Sequence, residues 1–349
     1  MKFRFLPNLI LLVLSVFLFF AVGEIVTRIS GVYDAEDAIR DQAGTFYKFN
    51  PSFSIAQIEH IPNKEGKMYG AYVMINSLGY RDKEYNTQKP EGTFRILVFG
   101  DSNTFGLGVN QGETYSDQLE LLLNKNSSRD YEVWNLGRIG HNTLQELELL
   151  KRWGLGYEPD LIILGYHHAD PECPYDGCGE ELQRATFDAF DGPYGIPLDY
   201  NWKERQIVKW RFLRWLAQKY EEALWTLGLE TPYTEATIRL HDPKSLTWKS
   251  TQAAFKGFSK ISQEQGIPIL FLIFPEADYL PLDPYPFQGI HEQELNEAEQ
   301  NGFHVIDIYD VFKPYDIDML KIRPDDGHPS PFAHRLVAEA IYSKLSSIF

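Results

Sequence analysis

The stretch RILVFGDS, residues 95–102, decides the fold expected for this chain. Its apolar and partly β-branched residues predict a buried strand that ends at Gly100. Ser102 follows at the carboxyl end of that strand, the edge of a parallel α/β sheet where active sites lie. Much further along, RPDDGHPSPFAH (323–334) places Asp325 and His328 just before the last predicted helix. Serine, histidine and carboxylate together are the side chains that nucleophilic catalysis requires.

The composition indicates a folded chain and limits its partners. With 349 residues, 44% of them hydrophobic and 14% aromatic, the chain can bury a sizeable core. Its formal net charge of −16 argues against nucleic acid as a partner, because nucleic-acid binding needs a basic surface.

The first 30 residues predict a membrane segment. Lys2 and Arg4 precede an apolar run over 9–22. We expect an uncleaved anchor in the inner membrane, with the rest of the chain on the periplasmic side, because positive charge stays in the cytoplasm. The alternative is a signal peptide cut after Gly23, with Ala21 as the second small residue, and a secreted product. A buried core helix is disfavoured because the run is apolar all round.

Cys173 and Cys178 are the only two cysteines and lie five residues apart in ECPYDGCGE. In an exported protein this spacing predicts a disulfide. A zinc site with the nearby His167 and His168 is the open alternative, although two cysteines alone are few ligands for zinc.

Strands and helices alternate after residue 94, which predicts a parallel sheet with right-handed crossovers. An irregular lead-in region is expected over 31–94, followed by a domain over 95–349 with a helical insertion at 170–245. The predicted strands are 95–100, 131–137, 160–166, 267–274 and 304–312. The predicted helices are 115–125, 143–154, 203–228, 245–266, 291–302 and 331–345. The aromatic-rich helix 203–228 is expected to pack on the core, with a membrane-surface position as the alternative.

Three short blocks resemble the GDSL/SGNH hydrolase family: GDSNTFG (100–106), NLGRIGHNT (135–143) and DDGHP (325–329). The resemblance covers roughly 95–345 and implies a flavodoxin-like three-layer α/β/α sandwich. By the family's motifs, Ser102 would be the nucleophile, His328 the general base and Asp325 its orienting partner. The backbone N–H groups of Ser102 and Gly140, with Gly137 in reserve, would bind the oxyanion.

The chain departs from the family in the block PDLIILGYHHADPE (159–172). The family has an asparagine where this chain has Ala169, and a methyl group cannot donate a hydrogen bond to an oxyanion. Losing one such donor lowers turnover by about 10²–10³. Either His167 or His168 replaces the amide, or a donor comes from the insertion, or the site is weak or inactive.

The expected function is therefore that of an exported, membrane-anchored serine esterase that removes acyl groups, with acetyl favoured. Its substrate would be a small ester or an acylated extracytoplasmic glycan. A glycan O-acyltransferase is an alternative, because it uses the same acyl-serine. A non-catalytic envelope binding protein is another, because of Ala169. No cofactor and no metal are expected, since this chemistry uses side chains and backbone amides alone.

Overall fold

The computed structural model describes residues 5–30, 46–49, 58–172, 210–227, 232–324, 326–345 and 348. A long helix, α1 (Phe5–Ile29), comes first. Within the described residues, it is the one helix long and apolar enough to cross a membrane. The lead-in region then contains two antiparallel strand pairs, so it is more regular than expected. These strands are β1 (Tyr47–Phe49), β2 (Ile58–His60), β3 (Glu65–Met68) and β4 (Ala71–Met74).

A five-stranded parallel sheet forms the centre of the fold, which confirms the predicted fold class. Its strands lie in the order β6-β5-β7-β8-β9, the arrangement of flavodoxin-like folds. They are β5 (Phe94–Gly100), β6 (Tyr131–Asn135), β7 (Leu161–His167), β8 (Ile269–Phe274) and β9 (His304–Asp307). Three of them, β5, β7 and β8, are buried along almost their whole length, as strands covered on both faces must be.

Helices cover both faces of the sheet. The described helices after β5 are α2 (Ser102–Phe105), α3 (Tyr115–Asn126), α4 (Thr143–Arg152), α5 (Arg211–Thr226), α6 (Pro232–Leu240), α7 (Leu246–Gln265), α8 (Gln288–Gln300), α9 (Ile308–Phe312), α10 (Ile317–Leu320) and α11 (Pro331–Leu345). Leu97 and Phe99 of β5 pack in a core cluster with residues of α4 and α7. Ile96 and Val98 pack on the other side, with residues of α3 and α11. This alternation along one strand gives the three layers.

Several predicted elements have different bounds in the structure. The strand predicted over 131–137 ends at Asn135. The strand predicted over 304–312 is wrong in its second half, because the Asp307 side chain accepts the Tyr309 N–H and starts α9. The helix predicted over 203–228 is described from Arg211 to Thr226. The described parts of the predicted 170–245 insertion contribute α5 and α6.

Two short strands after α10 carry the last sequence block. They are β10 (Lys321–Arg323) and β11 (Asp326–Pro329), and they pair antiparallel. The turn of β3 and β4 approaches the same end of the sheet. Met68 and Val73 from that hairpin pack against Phe105 of α2, directly behind the loop that carries Ser102.

Candidate active site

Ser102 lies where β5 ends and α2 begins. Its neighbour Asp101 caps the helix, since Oδ1 of Asp101 accepts the backbone N–H of Asn103 at 2.8 Å. A cap at this point fixes the turn that follows the strand. The side chain of Ser102 thereby lines the cavity at the carboxyl end of the sheet.

His328, on β11, reaches Ser102 across 226 positions of sequence. Nε2 of His328 is 2.9 Å from Oγ of Ser102, a hydrogen-bond distance. On the other side of the ring, Nδ1 is 2.5 Å from Oδ1 of Asp326. The serine, the imidazole and a carboxylate are therefore connected in one chain of hydrogen bonds.

The carboxylate in this chain belongs to Asp326, where the family's motif assigns Asp325. Asp325 lies outside the described residues. Asp326 and His328 are two positions apart in β11, so their side chains share one face of the strand. Nδ1 carries a single hydrogen, so the Asp326 carboxylate at 2.5 Å fills that position. In the described geometry the carboxylate that orients His328 is that of Asp326, and the role of Asp325 stays a prediction.

Two further donors hold the Asp326 carboxylate in place. The backbone N–H of His328 donates to Oδ1 at 3.1 Å, and Arg323 on β10 donates to Oδ2 at 3.1 Å. Burial opposes the charge of Asp326, but these hydrogen bonds and the His328 and Arg323 charges lower its pKa below the usual value. Burial likewise opposes a charge on His328, yet Asp326 outweighs it and raises the pKa of the imidazole. His328 is therefore a stronger base than an isolated histidine, because Asp326 stabilises its protonated form.

Gly140 and Gly137, the two candidate glycines, occupy different places. Gly140 lines the cavity beside Ser102, in a left-handed conformation (φ +70°) that glycine adopts without strain. Gly137 instead packs against α2, where a Cβ would come within 2.5 Å of the Phe105 nitrogen. Gly140 is thus the one whose backbone faces the site.

His167 and Ala169 both line the cavity at the end of β7. The backbone N–H of Ala169 points to Nδ1 of His167 at 3.4 Å, which leaves the ring proton on Nε2. Burial, followed by the neighbouring His168, lowers the pKa of His167 well below its ordinary value, so the ring is neutral near pH 7. The cavity therefore holds a neutral imidazole with an N–H close to Ala169, the position at which the family has an asparagine.

His168 lies beside His167 but does not line the cavity, so the structure does not place it as an oxyanion donor. Its side chain is fully buried and stacks on Phe287, with ring centroids 4.8 Å apart. Nε2 is 2.8 Å from the hydroxyl of Tyr233, and that hydroxyl donates to Oε2 of Glu276 at 3.0 Å. Because the Tyr233 proton goes to Glu276, Nε2 of His168 must be the donor to Tyr233.

His167, His168 and Glu276 are also close enough to hold a metal ion. One ligand atom from each lies within 4.8 Å of the others, the one such group among the described residues. Tyr233 already hydrogen-bonds two of the three, so an ion would have to displace its hydroxyl. Cys173 and Cys178, for which the sequence predicts a disulfide or, with these histidines, a zinc site, lie outside the described residues.

The cavity around Ser102 has a volume of about 590 Å³. Carboxyl groups of Asp170, Glu172 and Glu276 contribute to its wall, and Tyr69 from the β3–β4 turn lies at its edge. Burial raises the pKa of Glu172 to about 8. A site of this size and polarity suits a small polar substrate.

No family model matches the chain, and no characterised protein matches it in sequence. Solved structures that are similar to it include lipolytic hydrolases and esterases.

A member of the lipolytic G-D-S-L family from Veillonella parvula is 16% identical, with a TM-score of 0.40 over 72% of this chain and 98% of its own. A lipase/acylhydrolase from Enterococcus faecalis is 15% identical, with a TM-score of 0.39 over 73% and 96%. An acetyl xylan esterase is 16% identical, with a TM-score of 0.42 over 72% and 100%.

Three residues of the site were not found from the sequence. Asp326 had a signal, because it stands two positions before His328 in a segment with strand character. Tyr233 and Glu276 have no such signal in the sequence, since each lies far along the chain from Ser102 and neither forms part of a recognisable motif.

Proposed function

We propose that this chain is a membrane-anchored serine esterase of the SGNH type that acts outside the cytoplasm. The observation that carries the proposal is the hydrogen-bonded chain from Ser102 through His328 to Asp326. A serine hydroxyl becomes an effective nucleophile when an oriented imidazole accepts its proton. Helix α1, which contains an 18-residue window with a mean hydropathy of 2.8, supports the anchor.

The reaction would proceed through an acyl-serine. Oγ of Ser102 attacks the ester carbonyl carbon while Nε2 of His328 takes the hydroxyl proton. The tetrahedral intermediate then loses its alkoxide, which leaves as the alcohol with the proton from His328. Water attacks the acyl-serine in the same way, giving the carboxylic acid and restoring the Ser102 hydroxyl. Asp326 keeps the His328 ring in place and stabilises its positive charge in both halves.

The negative charge on the carbonyl oxygen needs donors. We assign the backbone N–H groups of Ser102 and Gly140, because both residues line the cavity and the first N–H groups of a helix have no acceptor within it. For the third donor, which the family takes from asparagine, we assign Nε2–H of His167. Its tautomer is set by the Ala169 N–H, and Nε2 is 3.8 Å from Glu276, too far for a hydrogen bond that would occupy its proton.

The substrate we propose is an acetyl ester of a glycan or another small neutral polyol. The carboxyl groups of the cavity wall can hydrogen-bond to the hydroxyls of a sugar, and Tyr69 can stack on its ring. A glycan outside the cytoplasm is the kind of substrate an anchored enzyme would meet. Transfer of the acetyl group to a glycan hydroxyl would use the same acyl-serine.

The second candidate is a non-catalytic binding protein, and Ala169 is the residue that favours it. Active-site labelling separates the two functions. A fluorophosphonate probe should label the wild type and the Ser127→Ala control, but not Ser102→Ala, and p-nitrophenyl acetate turnover should follow the same pattern. Ser127 is an exposed serine at the C-terminal end of α3 and does not line the cavity. Absence of both labelling and turnover in the wild type would rule out the esterase.

A further inference from the structure

One side of α1 is covered, although the helix has the composition of a membrane span. Phe20, Gly23 and Glu24 are partly buried and Thr27 is only 6% exposed, so the covered residues recur at helical spacing. Val22, on the opposite side, is half exposed. The covered face meets α5, the helix from the insertion.

The ring of Phe212 in α5 occupies the centre of this contact. Its centroid is 5.3 Å from that of Phe19 and 5.9 Å from that of Phe20, both with edge-on geometry. A Cβ at Gly23 would approach the Phe212 ring to 2.5 Å. The absence of a side chain at Gly23 is what lets the ring sit against the helix. Trp215, one turn later, stacks on Phe212 at 5.8 Å.

A polar contact joins the same two helices. Oε2 of Glu24 accepts the backbone N–H of Phe212 at 3.0 Å. Phe212 is the second residue of α5, so its N–H is one of those that a helix cannot satisfy internally. Glu24 also pairs with Arg28 at 2.7 Å. A carboxylate from the end of α1 thus caps the start of α5 and meets the positive end of its dipole.

The length of α1 gives the level at which this contact occurs. Residues 7–29 span about 34 Å as a helix, slightly more than the roughly 30 Å of a hydrocarbon core. Glu24 and Arg28 therefore belong at a membrane–water boundary. α5 exposes Tyr220 (49%), and the residues just before and after it, Trp210 and Leu227, are 42% and 72% exposed. Tryptophan and tyrosine are the aromatic residues enriched at this boundary.

We propose that α5 lies in the headgroup region of the extracytoplasmic leaflet, packed on α1, and that α1 remains part of the mature protein. The inference rests on the membrane anchoring in the proposed function. Gly23, the small residue that also suits a signal-peptide cleavage site, has a different role here, because it receives the ring of Phe212. Cleavage after Gly23 would remove Phe19 and Phe20 and leave the ring of Phe212 without these contacts.

Photocrosslinking of the full chain in bacterial membranes tests the proposal. p-Benzoylphenylalanine in place of Phe212 should crosslink to residues 5–23 of α1, identified by mass spectrometry. In place of Tyr220 it should crosslink to phospholipid. In place of Leu121, which is 63% exposed on α3 of the catalytic domain, it should crosslink to neither. When p-benzoylphenylalanine stands at position 212, the added change Gly23→Leu should abolish the crosslink to α1. The added change Val22→Leu, on the uncovered face, should retain it.

Each failure has a distinct meaning. A mature chain that begins at residue 24 would overturn both α1 retention and the anchoring, while fluorophosphonate labelling of the same sample still reports on the esterase. An intact chain without the crosslink from position 212 would overturn the packing of α5 on α1 and leave the anchoring in place. Crosslinking from position 220 to a second copy of the chain, instead of lipid, would overturn the position of α5 in the headgroup region.

Discussion

Replacing His167 with alanine removes the N–H that we assign as the third oxyanion donor. Loss of one such donor lowers kcat by about 10²–10³, or about 2.7–4 kcal/mol. The His167 side chain is 16% exposed, so water can enter the space it leaves and partly replace it. We therefore expect the lower end of that range, a decrease of about 10² in kcat with little change in KM, because the donor acts on the transition state.

The residue next to the lost ring offers a rescue. Ala169→Asn puts a side-chain amide at the family's donor position, on the same wall of the cavity. In the His167→Ala background this second change should recover at least about tenfold in kcat, or about 1.4 kcal/mol. In the wild-type background Ala169→Asn should change kcat little, because His167 already donates to the oxyanion. Such a coupling between the two substitutions is what a shared role requires.

The assay is p-nitrophenyl acetate hydrolysis, normalised to the fraction of protein that a fluorophosphonate labels. His304→Ala, at an exposed position of β9, is the matched control and should keep full activity. Thermal unfolding of each variant separates loss of the donor from loss of the fold. A kcat for His167→Ala within twofold of the wild type, in a folded protein, would refute the role of His167.

Three other predictions concern the site, and one concerns the core. Asp326→Asn should lower kcat far more than Asp325→Asn, since Oδ1 of Asp326 is 2.5 Å from Nδ1 of His328, and the reverse order would restore Asp325 as the orienting acid. The raised pKa of His328 places the acidic limb of kcat/KM above pH 6.5, because the protonated ring cannot act as a base, and Asp326→Asn should move that limb to lower pH. EDTA should leave p-nitrophenyl acetate hydrolysis unchanged, because the Tyr233 hydroxyl already hydrogen-bonds two members of the His–His–Glu cluster; lost activity that zinc restores would point to an ion there. Leu164→Ala, at a fully buried position of β7, should lower the free energy of unfolding by about 2–5 kcal/mol, measured by urea denaturation.

Much of the fold could be predicted because its signals are local. The apolar run ending in Gly100 and Ser102 identifies a central strand, and the alternation of strands and helices after it predicts the parallel sheet. The second half of the strand predicted over 304–312 failed for a local reason as well. Its apolar residues fit a strand equally well, and only the Asp307 cap shows that a helix starts there.

Within the site, the sequence predicts the kinds of side chain that come together, and the folded chain fixes which individual residues do so. Ser102 and His328 stand in recognisable blocks, so both residues could be predicted from the sequence. The two neighbours His167 and His168 are indistinguishable in sequence, and their rings lie side by side, yet only His167 lines the cavity, because His168 is buried against Phe287 and Tyr233. Likewise, in the described geometry the carboxylate that hydrogen-bonds to Nδ1 of His328 is that of Asp326. A motif specifies residue types at a spacing, whereas a hydrogen bond requires two atoms within about 3 Å, and that distance depends on how the whole chain is folded.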